Sequence, residues 1–339
     1  MLSNDWPELR CPKHLITLVA NRDSVKEPSV LRCENGCRVP VINGIPRFVD
    51  PENYAAGFGL QWNAFANTQL DSHTGLTVSR DRLAGALGDS LEVLRGKSVL
   101  EVGCGAGRFT EVMLAAGARV FAFDLSTAVD ANYENCHHWP NYFVCQADVR
   151  HAPLQPHSFD FVVCLGVIQH TPDPEETIAA LASYVRPGGT LVLDHYALEY
   201  PSNFAQRNLR RVLIRMPARM AKPTALALAR FLLPLHKLTW SERRGVWRIR
   251  RLLRRVSPLI DYYEVYPELG KRLLAEWSML DTHDTLTDHY KHLRTAQQIE
   301  DCLRSCGLVD IAAYYGGNGV EARARRPASS VCSDTTATG

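Results

Sequence analysis

Between residues 97 and 200 one rhythm repeats: a short apolar run, a turn, then a stretch of helical length. The runs are Ser98–Val102, Arg119–Asp124, Tyr142–Asp148, Phe159–Val167 and Thr190–Tyr196. Strands this apolar are covered on both faces, which is how a parallel sheet flanked by helices reads. The expected fold class is therefore α/β, doubly wound. Further on, a helix at Thr295–Cys306, a strand at Leu308–Tyr314, the turn Gly316-Gly317-Asn318-Gly319 and a strand at Val320–Arg325 predict a hairpin that closes the sheet.

The 339 residues leave room for about two folding units, and 46% hydrophobic with 22% charged residues excludes disordered, collagen-like and fibrous chains. No stretch reaches the roughly 20 apolar residues of a membrane-spanning helix. The opening Met1-Leu2-Ser3-Asn4-Asp5-Trp6-Pro7 has no basic and apolar signal pattern, so a cytoplasmic location is expected. The ten cysteines then read as small core residues or metal ligands. The chain divides into a small module at 1–50, a helical connector at 51–96, the repeating core at 97–200, a basic helical insertion at 201–292, a final helix and hairpin at 293–326, and a disordered tail at 327–339.

The sharpest local signal is Glu101-Val102-Gly103-Cys104-Gly105-Ala106-Gly107, a strand entering a glycine turn ahead of a helix. Glycines there permit a tight turn and let a ligand approach the backbone. A dinucleotide loop spaces its glycines G-x-G-x-x-G; here the third comes one residue early, which weakens a nicotinamide cofactor. Two further runs end in Asp124 and Asp148. Three acidic strand ends, Glu101, Asp124 and Asp148, suit a cationic, phosphate-free nucleoside better than a pyrophosphate.

With Asp124-Leu125-Ser126, Ala147-Asp148, Phe159-Asp160-Phe161-Val162-Val163, His170-Thr171-Pro172-Asp173-Pro174 and Arg186-Pro187-Gly188-Gly189-Thr190 in the same order, the chain resembles class I S-adenosylmethionine-dependent methyltransferases of the bacterial type 11 domain group. The resemblance implies a Rossmann-like seven-stranded sheet with helices on both faces and S-adenosyl-L-methionine as cofactor. It assigns Glu101, Gly103, Cys104, Gly105 and Gly107 to the methionine moiety, Asp124 to the ribose and Asp148 to the adenine. Leu125 and Val149 would wall the adenine or simply pack in the core; Ala147 and Leu165 belong to the same cofactor side.

His170 follows the fourth strand, at the carboxyl edge where open α/β sheets bind ligands. It is either a general base or a structural histidine of the proline-shaped loop after it. The polar stretch Trp277–Thr285, continuing to Asp288, His289, Tyr290 and His292, is expected on the acceptor side, with Asp281 and His283 as an oriented base, against a solvated loop or a metal site.

Cys11, His14, Cys33 and Cys37 give C-x2-H-x18-C-x3-C, two close ligand pairs suited to structural zinc. With Val39–Phe48 they resemble the small zinc-ribbon domain akin to the activator subunit of tRNA methyltransferases. A metal-free ribbon is the alternative.

The formal charge of +2 conceals an asymmetry: Ala205–Val256 holds fifteen Lys or Arg and one acid, Glu242, a local +14. Placed after the fifth strand, this block is expected to form a lid over the acceptor side. Its arginines face solvent, meet anionic membrane lipids, or grip nucleic acid; a zinc finger ahead of this fold also resembles certain rRNA guanine methyltransferases. The expected function is methyl transfer to oxygen of a small or lipid-linked metabolite. An RNA methyltransferase and a noncatalytic S-adenosylmethionine-binding regulator are the alternatives.

Overall fold

The computed structural model describes residues 8–21, 30–243 and 245–328. The opening heptapeptide and all of the predicted tail beyond Ala328 lie outside the described residues. Four short strands come first: β1 (Val19–Asn21), β2 (Val30–Arg32), β3 (Arg38–Ile42) and β4 (Ile45–Pro46), paired antiparallel in that order. Leu31 and Val39 of these strands, with Leu9 and Leu18 just before them, share one core with Leu100, Phe121 and Phe159 of the main sheet. Main-chain bonds from Phe48 to Gln146 (2.8 Å) and from Arg10 to Pro153 (2.9 Å) extend that attachment.

Three helices follow, α1 (Ala56–Ala64), α2 (Asp71–Thr74) and α3 (Val78–Leu87). The main sheet contains β5 (Ser98–Val102), β6 (Arg119–Asp124), β7 (Tyr142–Gln146), β8 (Phe159–Cys164), β9 (Val185–His195), β10 (Val309–Gly316) and β11 (Gly319–Arg325). Its order is β7-β6-β5-β8-β9-β11-β10, parallel from β7 to β9, with β11 antiparallel to both neighbours. Helices α4 (Thr110–Ala115), α5 (Val129–Cys136), α6 (Pro174–Tyr184) and α11 (Ala296–Ser305) complete this layer. The order reverses between β5 and β8, so the crevice at their carboxyl ends is the natural ligand site. The fold class and seven strands agree with the sequence reading. The strand expected at Thr190–Tyr196 begins earlier, as β9 runs from Val185 to His195.

The segment between β9 and α11 holds α7 (Phe204–Leu213), α8 (Ala218–Lys237), α9 (Val246–Val256) and α10 (Gly270–Thr287). Prolines 217 and 258 flank helices, whereas Pro223 and Pro234 lie inside α8. Each removes one helical N–H. Packing compensates, because Ala221, Ala225, Ala229 and Leu233 form a buried stripe at helical spacing.

Candidate active site

The carboxyl edge of the sheet opens into a cavity of about 1400 Å³. The glycine loop between β5 and α4 forms part of its wall through Gly103, Cys104 and Gly105. Gly103 has φ +73°, and a Cβ there would meet Val167 Cγ2 at 2.2 Å. The loop is therefore bare because both its backbone conformation and its neighbour demand glycine. Gly107, with φ +101°, turns instead toward Cys136 and does not reach the cavity wall.

Glu101 also stays behind the loop. It is 3% exposed, accepts a hydrogen bond from Thr110 Oγ1 at 2.5 Å, and burial pushes its carboxyl up to about 8. It does not line the cavity, and it braces the first turn of α4 through Thr110. The physical reason is its position: as the fourth residue of a central strand it is enclosed before the loop begins.

Asp124, at the end of β6, does line the cavity. Its Oδ1 accepts from the Ser126 N–H and Oγ, and its Oδ2 from the Gly105 N–H at 3.1 Å, which ties the carboxylate to the glycine loop. Leu125, Ala147, Asp148 and Val149 continue this wall. Burial alone would raise the Asp148 carboxyl, but donation from Arg150 side chain and N–H holds it below the usual range. From α1, Phe58, Gln61 and Trp62 close the near side, the Trp62 ring facing Gly105. All three come from the segment expected only as a helical connector, with no role at the site.

Leu165 and His170 belong to the same wall. His170 Nδ1 lies 3.0 Å from the Tyr290 carbonyl oxygen and 3.5 Å from Asp288 Oδ2. Its ring packs between Phe58 and Tyr196, with centroids 5.3 and 5.4 Å away. Burial depresses its pKa, and Asp288 only partly opposes this. An Nδ1–H donating to Tyr290 leaves Nε2 unprotonated, the form a base requires.

The stretch expected as an acceptor-side cluster is largely helical. Trp277, Asp281, Asp284 and Thr285 of α10 all face the cavity, at spacings that repeat with the helix. Asp281 accepts from Tyr262 Oη and burial pushes it up to about 6; Asp284, missed as an individual site residue, is raised by burial to about 6 and its Oδ1 has no partner. His283 is turned away from the cavity. It is 2% exposed, Nδ1 lies 2.7 Å from Gln61 Oε1, and burial, with Lys222, lowers its pKa to about 4. The expected Asp281–His283 base is thus not assembled: two residues apart on a helix, their side chains leave in different directions.

Two cavity-lining arginines were also not foreseen. Arg82 pairs with buried Asp194 at the end of β9, while Arg108 donates to Gln69 Oε1 at 2.6 Å and Ser79 Oγ at 3.2 Å. Both guanidiniums lie over the Phe109 ring, at 5.3 and 4.8 Å. Burial, then Arg82, lowers the Arg108 pKa to about 10.

Away from the cavity, the ligand atoms of Cys11, His14, Cys33 and Cys37 all lie within 4.8 Å of one another. His14 Nδ1 is 3.6, 3.4 and 3.6 Å from the sulfurs of Cys11, Cys33 and Cys37. A tetrahedral zinc with bonds of about 2.0–2.3 Å separates its ligands by about 3.5 Å, so the donor set and spacing fit the metal.

Residues 100–193 match a family model described as a methyltransferase domain. The ubiquinone biosynthesis O-methyltransferase of Cupriavidus pinatubonensis is 38% identical over 105 residues, covering 30% of this chain and 42% of the relative. That of Aromatoleum aromaticum is 39% identical over 102 residues, covering 28% and 42%. The matched part thus spans 42% of the length of either relative. Among solved structures, an O-methyltransferase family protein from Burkholderia thailandensis aligns with 13% identity and a TM-score of 0.42, covering 81% of this chain and 72% of that one. With the sheet order and the glycine loop described above, the family match identifies residues 100–193 as a methyltransferase domain.

Proposed function

We propose that this protein transfers a methyl group from S-adenosylmethionine to an oxygen of a small metabolite. The observation that carries the reading is a single cavity lined by the bare loop at Gly103–Gly105, the strand-end carboxylates Asp124 and Asp148, and the polar groups His170 and Asp284. The names of the matched relatives support oxygen as the acceptor atom.

When bound, S-adenosylmethionine supplies an electrophilic methyl group, so the protein's work is alignment, exclusion of water and disposal of one proton. Asp124 would accept from the ribose hydroxyls and Asp148 from the adenine amino group, while the loop backbone flanks the methionine end. On the acceptor side, the His170 Nε2 lone pair takes the hydroxyl proton, and the Nδ1–H bond to Tyr290 keeps that tautomer in place. Zinc, held by Cys11, His14, Cys33 and Cys37, would brace the N-terminal strands rather than take part in the reaction.

The test is incubation with methyl-labelled S-adenosylmethionine and separate small-molecule, lipid and RNA fractions. Label in a metabolite ether or ester is expected. Label confined to RNA overturns the acceptor class, and cofactor binding without transfer to any fraction overturns catalysis.

A further inference from the structure

Twelve of the eighteen large apolar side chains that are exposed among the described residues lie between Leu198 and Val265. They are not scattered. On α8, Met220, Ala227, Phe231 and Leu235, with Leu238 just past its end, follow one another at steps of seven, four, four and three residues along the face opposite the buried alanine stripe. Phe231 is 80% and Leu238 78% exposed. From Met220 to Leu238 this apolar ridge is about 27 Å long at 1.5 Å per residue. On α9, Ile249, Leu252 and Val256 form a second exposed stripe, and Arg248, Arg251 and Arg255 run beside it in the same register. Arg250 and Arg254 are engaged by Glu264, whereas Arg211, Arg248 and Arg251 make no ion pair among the described residues.

Apolar stripes bordered by unpaired arginines fit poorly in bulk water and well at the boundary between lipid headgroups and acyl chains. We propose that the outer faces of α7, α8 and α9 form a docking surface for a bilayer bearing anionic headgroups. Phe231, Leu235 and Leu238 would enter the headgroup layer, with Arg211, Arg248 and Arg251 against its phosphates. The local charge of +14 supplies the complementarity. No helix among the described residues is long and apolar enough to cross a membrane, so the contact is peripheral.

The surface also meets the cavity. Asn203 and Gln206 at the start of α7, and Arg254 and Arg255 at the end of α9, belong to the cavity wall. Asn203 Nδ2 donates to the Arg254 and Ser257 carbonyls at 3.1 and 2.6 Å, joining the two helix ends at this rim. A docked protein thereby holds its acceptor mouth close to the bilayer, which suits an acceptor carrying a lipid tail. This last consequence rests on the methyl-transfer reading; the docking surface itself does not.

The experiment is sedimentation of the full chain with vesicles of phosphatidylcholine alone and of phosphatidylcholine mixed with phosphatidylglycerol, with S-adenosylhomocysteine affinity measured on every variant. Two triple variants are compared with the parent: Phe231→Ser/Leu235→Ser/Leu238→Ser and Arg211→Glu/Arg248→Glu/Arg251→Glu. All six side chains are exposed, so the folded protein and its nucleoside affinity are expected to survive. The parent should bind the anionic vesicles and not the neutral ones. The arginine variant should bind about a hundredfold more weakly, from about 1 kcal/mol per basic residue, and the apolar variant about tenfold or more. Vesicle binding that is absent in the parent, or unchanged in both folded variants, overturns the proposal. So does a parent dimer that the apolar variant dissociates, or RNA binding that the arginine variant loses while vesicle binding persists. Loss of S-adenosylhomocysteine binding in the parent would instead count against the methyl-transfer reading, leaving the vesicle result to stand on its own.

Discussion

His170 directs Nδ1 at the Tyr290 carbonyl, 3.0 Å away, and this one bond sets which face of the imidazole can accept a proton. The carbonyl has no proton to give, so Nδ1 carries the hydrogen and Nε2 the lone pair. His170→Ala should lower turnover by about 100-fold or more while leaving S-adenosylhomocysteine affinity within a few-fold of the parent. Equal turnover in the variant would show a purely structural histidine. Because burial lowers the His170 pKa, the activity it supports should persist as pH falls below the usual histidine range and fail only at more acid values.

Glu101 provides a stability test with a definite sign. Its folded value is about 8 against an ordinary 4.5, so between those values the folded protein holds a proton that the unfolded chain has released. Its contribution to stability therefore falls as pH rises through that window. Glu101→Gln removes the slope, and thermal unfolding of the ligand-free protein should show a gain over the parent that is larger at pH 8 than at pH 5. Parallel curves would contradict the buried, protonated carboxyl.

The helical segment between β9 and α11 has its own buried polar anchor. His236 Nδ1 lies 2.8 Å from Asp261 Oδ2, His236 Nε2 2.9 Å from Ser257 Oγ, and Trp240 Nε1 donates to Asp261 at 3.0 Å. Removing Asp261 leaves His236 Nδ1 and Trp240 Nε1 buried without this acceptor, so Asp261→Ala should cost about 3–5 kcal/mol in chemical denaturation. Burial would raise the Asp261 carboxyl, but His236 and the other donors keep it below the usual range. Its stabilising contribution is present above the ordinary aspartate value and disappears as pH falls through the lowered one.

Zinc analysis of the purified protein should give about one ion per chain, and Cys33→Ser/Cys37→Ser should lose it together with thermal stability. A metal-free preparation that melts at the same temperature with and without added zinc contradicts the site.

Legibility differed between regions for physical reasons. The parallel strands were readable because burial on both faces leaves continuous apolar runs such as Phe121–Phe123 and Phe161–Cys164. The cluster of Cys11, His14, Cys33 and Cys37 was readable because it is built from two close sequence pairs. The α10 helix was obscured by its composition: Ser278, Thr282, His283 and Thr285 are buried polar groups, and His283 is held by Gln61, 222 residues away. Arg82 pairs with Asp194 across 112 residues, a relation no local pattern announces. Pro223 and Pro234 are residues that ordinarily interrupt a helix, and in α8 the buried alanine stripe outweighs them. Asp284 was within reach of a helical reading, since it follows Asp281 by three residues on the cavity side.

The most direct measurement is calorimetric titration of the parent and Asp124→Ala proteins with S-adenosylhomocysteine, NAD and NADP. S-adenosylhomocysteine should bind the parent at about one per chain, the dinucleotides should not, and Asp124→Ala should weaken binding by about 100-fold, as expected when a charged acceptor of two hydroxyl bonds is lost. A parent that ignores S-adenosylhomocysteine, or that prefers a dinucleotide, would contradict the cofactor assignment and the methyl transfer built on it.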